Sequence, residues 1–451
     1  PKTDLLTGLK DAGITVNQDL VDFYTAYMAE RPELGYDVHT WDLPEPPAST
    51  YPSDLIDGAK AFSDTAVIVI SRIGGEFADL LHDMSIVDTN VKESYNDNST
   101  EYEDFPDGTH YLELSQSEHD MVDLVCQNFS NVILVYNGAN AFELGFVEEH
   151  PEIKSVLWTG GQGHVGMTAL GEILSGQVNP SAKTIDTYVY DVKETPWWNN
   201  FGDFNYTNMD EYIYTQEFFG TVSKEVPAFV NYVEGIYVGY KFYETAFAET
   251  QAGNMDYDYD GHVMYPFGYG LSYTTLDKTI QNFNADGDNV TFDVSVTNTG
   301  SVAGKEVVEI YFTPPYNNGG IEKAAVNLIQ FEKTGILEPG ASETVSFSIP
   351  KEDFASYDTG IKIPGGGYIL EAGDYIVSVR DDAHTPVAVE TFTVDSDISY
   401  ANGRSSDLVP ANNQFEDYSR GDFEQLSRAD GFANYDSATA APRTCFIIKR
   451  F

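Results

Sequence analysis

Two hydrophobic periods divide the chain. Up to about residue 275, short unbroken apolar runs alternate with stretches spaced for helices. Ala66-Val-Ile-Val-Ile70, Asn131-Val-Ile-Leu-Val-Tyr136 and Ser155-Val-Leu-Trp158 are such runs. A strand without polar alternation is covered on both faces, which is the habit of parallel strands in α/β sheets. Each run stops at turn formers: Ser71 with Gly74-Gly75, Asn137-Gly138, and Gly160-Gly161. Leu20, Phe23 and Tyr27 share one side of a helix predicted over 19–30. Ser115 and Glu118 make an S-x-x-E capping box ahead of a helix over 118–129. A further helix is predicted over 165–174. This rhythm predicts βαβ units and a mostly parallel sheet.

Near residue 276 the period falls to two. Thr291-Phe-Asp-Val-Ser-Val296, Val345-Ser-Phe-Ser-Ile349 and Tyr375-Ile-Val-Ser-Val379 alternate apolar and polar positions. Turn residues at 298–300, 339–340 and 365–367 separate them. Short alternating strands so spaced predict an antiparallel β-sandwich ending near Val394. The remainder, 396–451, is rich in Ser, Asn, Asp, Gly and Ala and has little periodicity. It is expected to be a linker or a strap lying on other surfaces.

Composition narrows the partners. The 451 residues leave room for two or three domains, and 42% apolar content supports globular cores. The formal net charge is −48, from 72 acidic and 24 basic residues. Such a chain repels phosphate backbones and anionic lipid, so neither nucleic acid nor membrane is an expected partner. A neutral ligand fits better. Cys126 and Cys445 are the two cysteines, which excludes a disulfide framework and fits a reducing, cytoplasmic setting. No secretory signal opens the chain and no apolar run is long enough to span a bilayer. The chain starts at Pro1 without Met, so an upstream signal stays open as a possibility.

Candidate chemistry centres on Ser71-Arg-Ile-Gly-Gly-Glu76, just beyond a buried strand. Open α/β sheets bind ligands in the crevice at the carboxyl ends of their strands. Two glycines let the backbone turn and approach a ligand closely. A partly buried Glu76 would keep its proton and could donate it to a leaving-group oxygen. On pattern alone, an exposed loop glutamate is the commoner outcome. Asp256-x-Asp258-x-Asp260-Gly261 matches the first half of a calcium loop, but Phe267 stands where the bidentate glutamate belongs, so a solvated acidic loop is expected. Gly160-Gly-Gln-Gly163 lacks a phosphate-loop lysine and reads as a tight turn facing the crevice. No H-E-x-x-H pair and no G-x-S-x-G elbow occurs, so no metal and no serine nucleophile are expected.

These residues, taken in order, resemble family 3 of the glycoside hydrolases, of the β-glucosidase type. Ser71-Arg-Ile-Gly-Gly-Glu76 is similar to its acid/base loop, and Trp158-Thr-Gly-Gly-Gln-Gly163 with Gly166 to its glycine-rich turn. Leu174-Ser-Gly-Gln-Val-Asn-Pro-Ser181 and Thr184-Ile-Asp-Thr187 resemble the segment that follows. Glu234-Gly-Ile-Tyr-Val-Gly-Tyr-Lys-Phe-Tyr243 and Tyr265-Pro-Phe-Gly-Tyr-Gly-Leu-Ser-Tyr273 resemble two further signatures. Leu337-Glu-Pro-Gly340 and Leu370-Glu-Ala-Gly-Asp-Tyr375 look like turns of its fibronectin type III-like domain.

The resemblance implies a mostly parallel-sheet α/β sandwich domain over 1–275, N-terminally incomplete, then a fibronectin type III-like β-sandwich over 276–395 and a linker or tail over 396–451. It implies Glu76 as general acid/base and Glu234 as a second candidate, the alternative for Glu234 being a structural carboxylate. No cofactor is implied, since carboxylates carry the chemistry. The substrate would be a β-glucoside or related oligosaccharide. The family's nucleophile is an aspartate in an S-D-W type motif on a TIM-like barrel, and no S-D-W occurs in these 451 residues. Some members place the barrel last, and Leu426-Ser-Arg-Ala-Asp430 looks like the lead into one; Cys445-Phe-Ile-Ile-Lys-Arg-Phe451 matches nothing in the family. The expectation is therefore a truncated member of the permuted arrangement, whose barrel domain belongs to the complete protein. The rival expectation is a non-catalytic carbohydrate-binding or docking module that pairs with a barrel domain.

Overall fold

The computed structural model describes residues 2–30, 45–72, 84, 104–106, 108–200, 204–205, 207–218, 220–225, 228–411 and 424–441. The chain packs as two compact units, Pro1–Pro180 with Tyr188–Tyr190, and Ser181–Thr187 with Asp191–Phe451. Among the described residues no helix is long and apolar enough to cross a membrane.

The first unit is built on three parallel strands in the order β1 (Thr65–Ser71), β2 (Asn131–Asn137), β3 (Ile153–Trp158). Val132, Leu134, Val135 and Tyr136 on the central strand are at most 1% exposed, as continuous apolar runs require. Helices α1 (Leu5–Asp11), α2 (Gln18–Glu30) and α3 (Ser53–Phe62) precede β1. Helix α4 (Gln116–Asn128) precedes β2, and α5 (Met167–Leu174) follows β3. Ser115 and Glu118 form the reciprocal capping box of α4. Helices α1 and α5 pack closely because Gly8 and Gly171 meet there. A Cβ on Gly8 would lie 2.1 Å from the Met167 carbonyl oxygen, so any side chain would push the helices apart.

The second unit contains helices α6 (Tyr240–Gln251) and α7 (Tyr259–His262) and the antiparallel strands that begin at Leu276. Strands β4 (Leu276–Asn284), β5 (Asn289–Asn298), β6 (Val307–Thr313), β7 (Asn327–Lys333) and β8 (Ser342–Pro350) lead. After them come β9 (Ser356–Asp358), β10 (Gly367–Leu370), β11 (Gly373–Arg380), β12 (Pro386–Val394) and β13 (Ile398–Tyr400). They form sheets ordered β4-β5-β8, β7-β6-β11-β12 and β9-β10-β13. The first two share one core, in which Phe292, Val294, Ile310, Phe347, Tyr375 and Val377 are at most 2% exposed. The fold class is thus a parallel-sheet α/β domain followed by antiparallel sheets of an Fn3-like sandwich.

Strand pairing continues past Val394, because β13 hydrogen-bonds to β10 through Ile398 and Tyr400. Residues 424–441 lack a core of their own and borrow one. Phe432 is 2% exposed, its ring 4.9 Å from Tyr237 and 5.4 Å from Phe242. Asp358 ties the loop after β9: its carboxylate accepts from the backbone N–H groups of Gly360, Ile361, Lys362 and Ile363 at 2.6–3.0 Å. Those four donors, the largest favourable contribution, hold its carboxyl below the ordinary range against the cost of burial.

Candidate functional site

The strand ends of the first unit carry a dense polar layer. Strand β1 finishes at Ser71, and the Arg72 N–H extends the ladder by donating to the Asn137 carbonyl at 3.0 Å. The Arg72 side chain then turns inward and is 7% exposed. A guanidinium has five N–H donors, and all five are used. Nε donates to Tyr111 O at 2.7 Å; Nη1 to Ser71 O at 2.9 Å and Glu118 Oε1 at 2.7 Å; Nη2 to Glu113 O at 2.7 Å and Glu118 Oε2 at 2.6 Å. Its plane lies over Phe142 at 4.8 Å and Tyr111 at 5.4 Å. Burial alone would lower the guanidinium pKa; the charge and hydrogen bonds of Glu118 outweigh it and hold the group cationic.

Glu118 serves two elements at once. Its Oε2 also accepts from the Ser115 N–H at 2.9 Å, which closes the N-terminus of α4. One carboxylate therefore fixes both the start of α4 and the exit of β1. A fork-to-fork pair of this kind is directional as well as strong. It sets the path of the chain at Arg72, four residues before Glu76. Glu76 itself lies outside the described residues.

The neighbouring strand ends are joined in the same way. Asn137 donates to Ser71 Oγ at 3.3 Å and accepts from Gln162 Nε2 at 2.6 Å. Gln162 also donates to Thr159 Oγ1. Trp158 Nε1 donates to the Gly138 carbonyl at 2.7 Å. Gly160 and Gly163 take φ of +53° and +60°, a region that side chains rarely adopt, so the glycines of Gly160-Gly-Gln-Gly163 let the turn fold back until Gln162 reaches β2. Ser71, Asn137, Thr159 and Gln162 form a polar rim where open α/β sheets bind ligands. Neutral amides and hydroxyls of this type suit the hydroxyl groups of a neutral ligand better than an anion.

The other candidates separate. Glu234 sits in the second unit, half-buried, and burial raises its carboxyl pKa. Asp258 accepts from the Gly261 N–H at 3.2 Å and so caps α7, while Asp256 and Asp260 are exposed. Cys126 is buried in α4, and burial pushes its thiol up to about 11, which leaves little reactive thiolate at neutral pH.

One cluster escaped the sequence reading. Among the described residues, His110, Glu113 and Glu143 alone place three ligand-type atoms within 4.8 Å of one another. The hydrogen bonds argue against a metal there. The Leu112 N–H donates to His110 Nδ1 at 3.0 Å, so the proton of the neutral ring is on Nε2. That N–H points to Glu143 Oε1 at 3.0 Å, so the ring has no lone pair to offer an ion. Glu113 Oε1 accepts from the His110 N–H at 2.8 Å. The trio buttresses the loop that carries Tyr111 and Glu113 to Arg72. Its only trace in the sequence is the His110-x-x-Glu113 spacing.

Comparison with known proteins gives two domain matches. Residues 37–240 match the domain described as "Glycosyl hydrolase family 3 C-terminal domain", and residues 306–383 match a "Fibronectin type III-like domain". The chain is 32% identical over 450 residues to beta-glucosidase A of Butyrivibrio fibrisolvens, covering 95% of this chain and 48% of that protein. It is 31% identical over 399 residues to a beta-glucosidase of Ruminococcus albus, covering 87% and 35%. The chain thus spans about half or less of the curated relatives it matches. A solved beta-glucosidase from Paenibacillus barengoltzii superposes with a TM-score of 0.67 at 26% identity, over 88% of this chain and 38% of that one. Beta-glucosidase 3B from Thermotoga neapolitana, solved with α-D-glucose, gives 0.64 at 28% identity, over 88% and 47%.

Proposed function

Because the chain carries the C-terminal domain of glycosyl hydrolase family 3 and a fibronectin type III-like domain, we propose that it is part of a retaining β-glucosidase. In this reading it supplies Glu76 as general acid/base, and a TIM-like barrel supplies the nucleophile. The substrate class is a β-glucoside or related oligosaccharide. The domain limits that go with this reading are 1–275, 276–395 and 396–451.

The observation that carries the proposal is the exit of β1. Arg72 is buried and saturated, so the chain leaves the strand end from a fixed point. Glu76 follows this point by four residues, and general acid catalysis needs a carboxyl within hydrogen-bond distance of the leaving oxygen. In a retaining mechanism Glu76 would protonate the departing aglycone and later take a proton from water, with the nucleophile's carboxyl about 5–5.5 Å away. The rim of Ser71, Asn137 and Gln162 would sit at the entrance to this chemistry and accept or donate hydrogen bonds to sugar hydroxyls.

The test uses the complete protein with its barrel. Glu76→Ala is expected to slow alkyl β-glucosides by about 10²–10⁴-fold and activated aryl β-glucosides far less, because a good leaving group needs little protonation. Equal losses on both substrates would remove the acid role.

A further inference from the structure

The turn between β11 and β12, residues 381–385, is driven against α6, α7 and the Tyr265-Pro-Phe-Gly-Tyr-Gly segment of the same unit. Ala383 is fully buried, and its N–H donates to the Phe267 carbonyl at 2.8 Å. The His384 ring stacks on Tyr259, centroids 4.0 Å apart, and meets the edge of Phe247 at 4.6 Å. Its Nδ1 lies 3.0 Å from Oε2 of Glu244, a carboxylate on α6 that is 3% exposed. The other oxygen of Glu244 accepts from Tyr259 Oη at 2.6 Å. One strand away, on β6, Glu309 is 4% exposed and accepts from Tyr311 Oη at 2.7 Å. It is pressed against Gly268, where a Cβ would come within 2.4 Å of Glu309 Oε2.

We propose that this seam is a protonation-controlled joint, firm when His384 is charged and Glu309 neutral, and loosened when both lose their protons. A charged imidazole gives the buried Glu244 a directly bonded counter-ion; a neutral one leaves that carboxylate the Tyr259 hydroxyl and the longer-range charge of Arg380. An ionised Glu309 would be a buried anion with one neutral donor. The surrounding charges do not remove the effect. Lys183 and Lys278 favour the ionised Glu309, but Lys278 already pairs with Asp381 at 2.6 Å, and both lie 3.7 Å from Glu306. Asp382 opposes the ionisation of Glu309 and, with Asp260, favours the charged His384. Arg380 on β11 holds the turn by donating to Ala383 O at 2.7 Å. Tyr240, Tyr259 and Tyr311 are pushed upward by burial and stay neutral.

The two groups act in the same direction. Burial raises Glu309 to about 7, so the unfolded carboxyl ionises near 4.5 while the folded one resists; this contribution to stability falls as pH rises from 4.5 to about 7. For His384, burial works against the charge, and the Glu244 hydrogen bond and charge outweigh it, so the folded pKa lies above 6.5. Its contribution is complete below 6.5 and is lost as pH rises through the folded value. The seam should therefore weaken steadily from acid to mildly alkaline pH.

Amide hydrogen exchange of the full chain at about pH 5.5 and pH 8.5, corrected for intrinsic rates, tests this. The opening equilibrium of peptides covering α6, α7 and 381–385 should rise by about tenfold or more, since one pKa unit is tenfold in an equilibrium. Strand β5, deep in the sandwich core, should not change. In His384→Asn with Glu309→Gln the seam's dependence should shrink to within about twofold. Equal seam protection at the two pH values, an equal rise in β5, or an unchanged slope in the double variant would overturn the proposal. If the double variant does not fold, the wild-type contrast between seam and β5 decides.

Discussion

At the scale of single residues, Arg72 and Glu118 bear most on the proposed site. Their pair is closed on all sides: side-chain exposures are 4% and 7%, and the nearest N–O distance is 2.6 Å. Removing one member strands the other as a buried, uncompensated charge, which costs about 3–5 kcal/mol. Arg72→Ala is therefore expected to lower the chemical unfolding free energy of the chain by about that amount. Arg72→Met combined with Glu118→Met should recover most of it, because no lone charge remains. A single variant as stable as wild type in denaturant titration would mean that solvent or a neighbour compensates the charge. Half of this arrangement was legible in the sequence. The Ser115 and Glu118 spacing announced a capping box, and the box is there. The second duty of Glu118 was not legible, because Arg72 is 46 residues away and nothing local to either residue marks the other.

At the scale of elements, periodicity succeeded where each region kept to its own rule and failed where an antiparallel strand was covered on both faces. Strand β5 alternates without a break, and its period of two is plain in the sequence. Strand β6, Val307–Thr313, shows five buried residues in succession and no alternation. One face enters the sandwich core through Val308, Ile310 and Phe312. The other carries Glu309 and Tyr311 towards Tyr240 and Gly268. An antiparallel strand buried on both sides looks like a parallel one, so pattern alone passed over it.

The strap at 424–441 is a related case. It has little periodicity because it follows the surface of others, held by a few long-range anchors. Arg428 donates to Glu249 Oε1 at 2.6 Å and to Lys323 O at 2.9 Å, and lies 4.0 Å over the Tyr316 ring. Leu426 N–H donates to Val233 O at 2.7 Å, and Tyr435 Oη to Glu194 O at 3.0 Å. Asp430 and Phe432 adopt φ of +52° and +58°, conformations that cost non-glycine residues energy and persist only when packing fixes them. Arg428→Ala removes the main anchor and leaves Glu249 buried without its cation. The strap should then be cut by chymotrypsin at Phe432 or Tyr435 at least about tenfold faster, the factor that corresponds to a loss of about 1.4 kcal/mol. Unchanged cleavage would show that the aromatic contacts alone hold it.

For the whole molecule, the order of domains was legible because several motifs recur in sequence, each tied to a turn or strand end that the fold requires. The proposed acid/base is marked in the sequence only by its place after a strand end. Glu76 follows a strand end that the structure describes, yet it lies outside the described residues, and its role rests on the resemblance. The chain also spans 48% of its Butyrivibrio relative and 35% of its Ruminococcus relative. From this comes the last prediction, that the 451-residue chain by itself hydrolyses β-glucosides barely above background. A positioned general acid contributes about 10²–10⁴-fold, whereas enzymes reach accelerations from about 10⁶-fold upward. The difference has to come from a nucleophile, from sugar positioning and from charge stabilisation at an oxocarbenium-like centre. In the proposed arrangement those groups belong to the barrel. The measurement is release of an aryl alcohol from an aryl β-glucoside by the purified chain, alone and after mixing with a separately produced barrel domain. Activity that appears on mixing and falls in Glu76→Gln would place both carboxylates in one shared site. Appreciable turnover by the chain alone, indifferent to Glu76→Gln, would mean that the active site lies elsewhere in these residues.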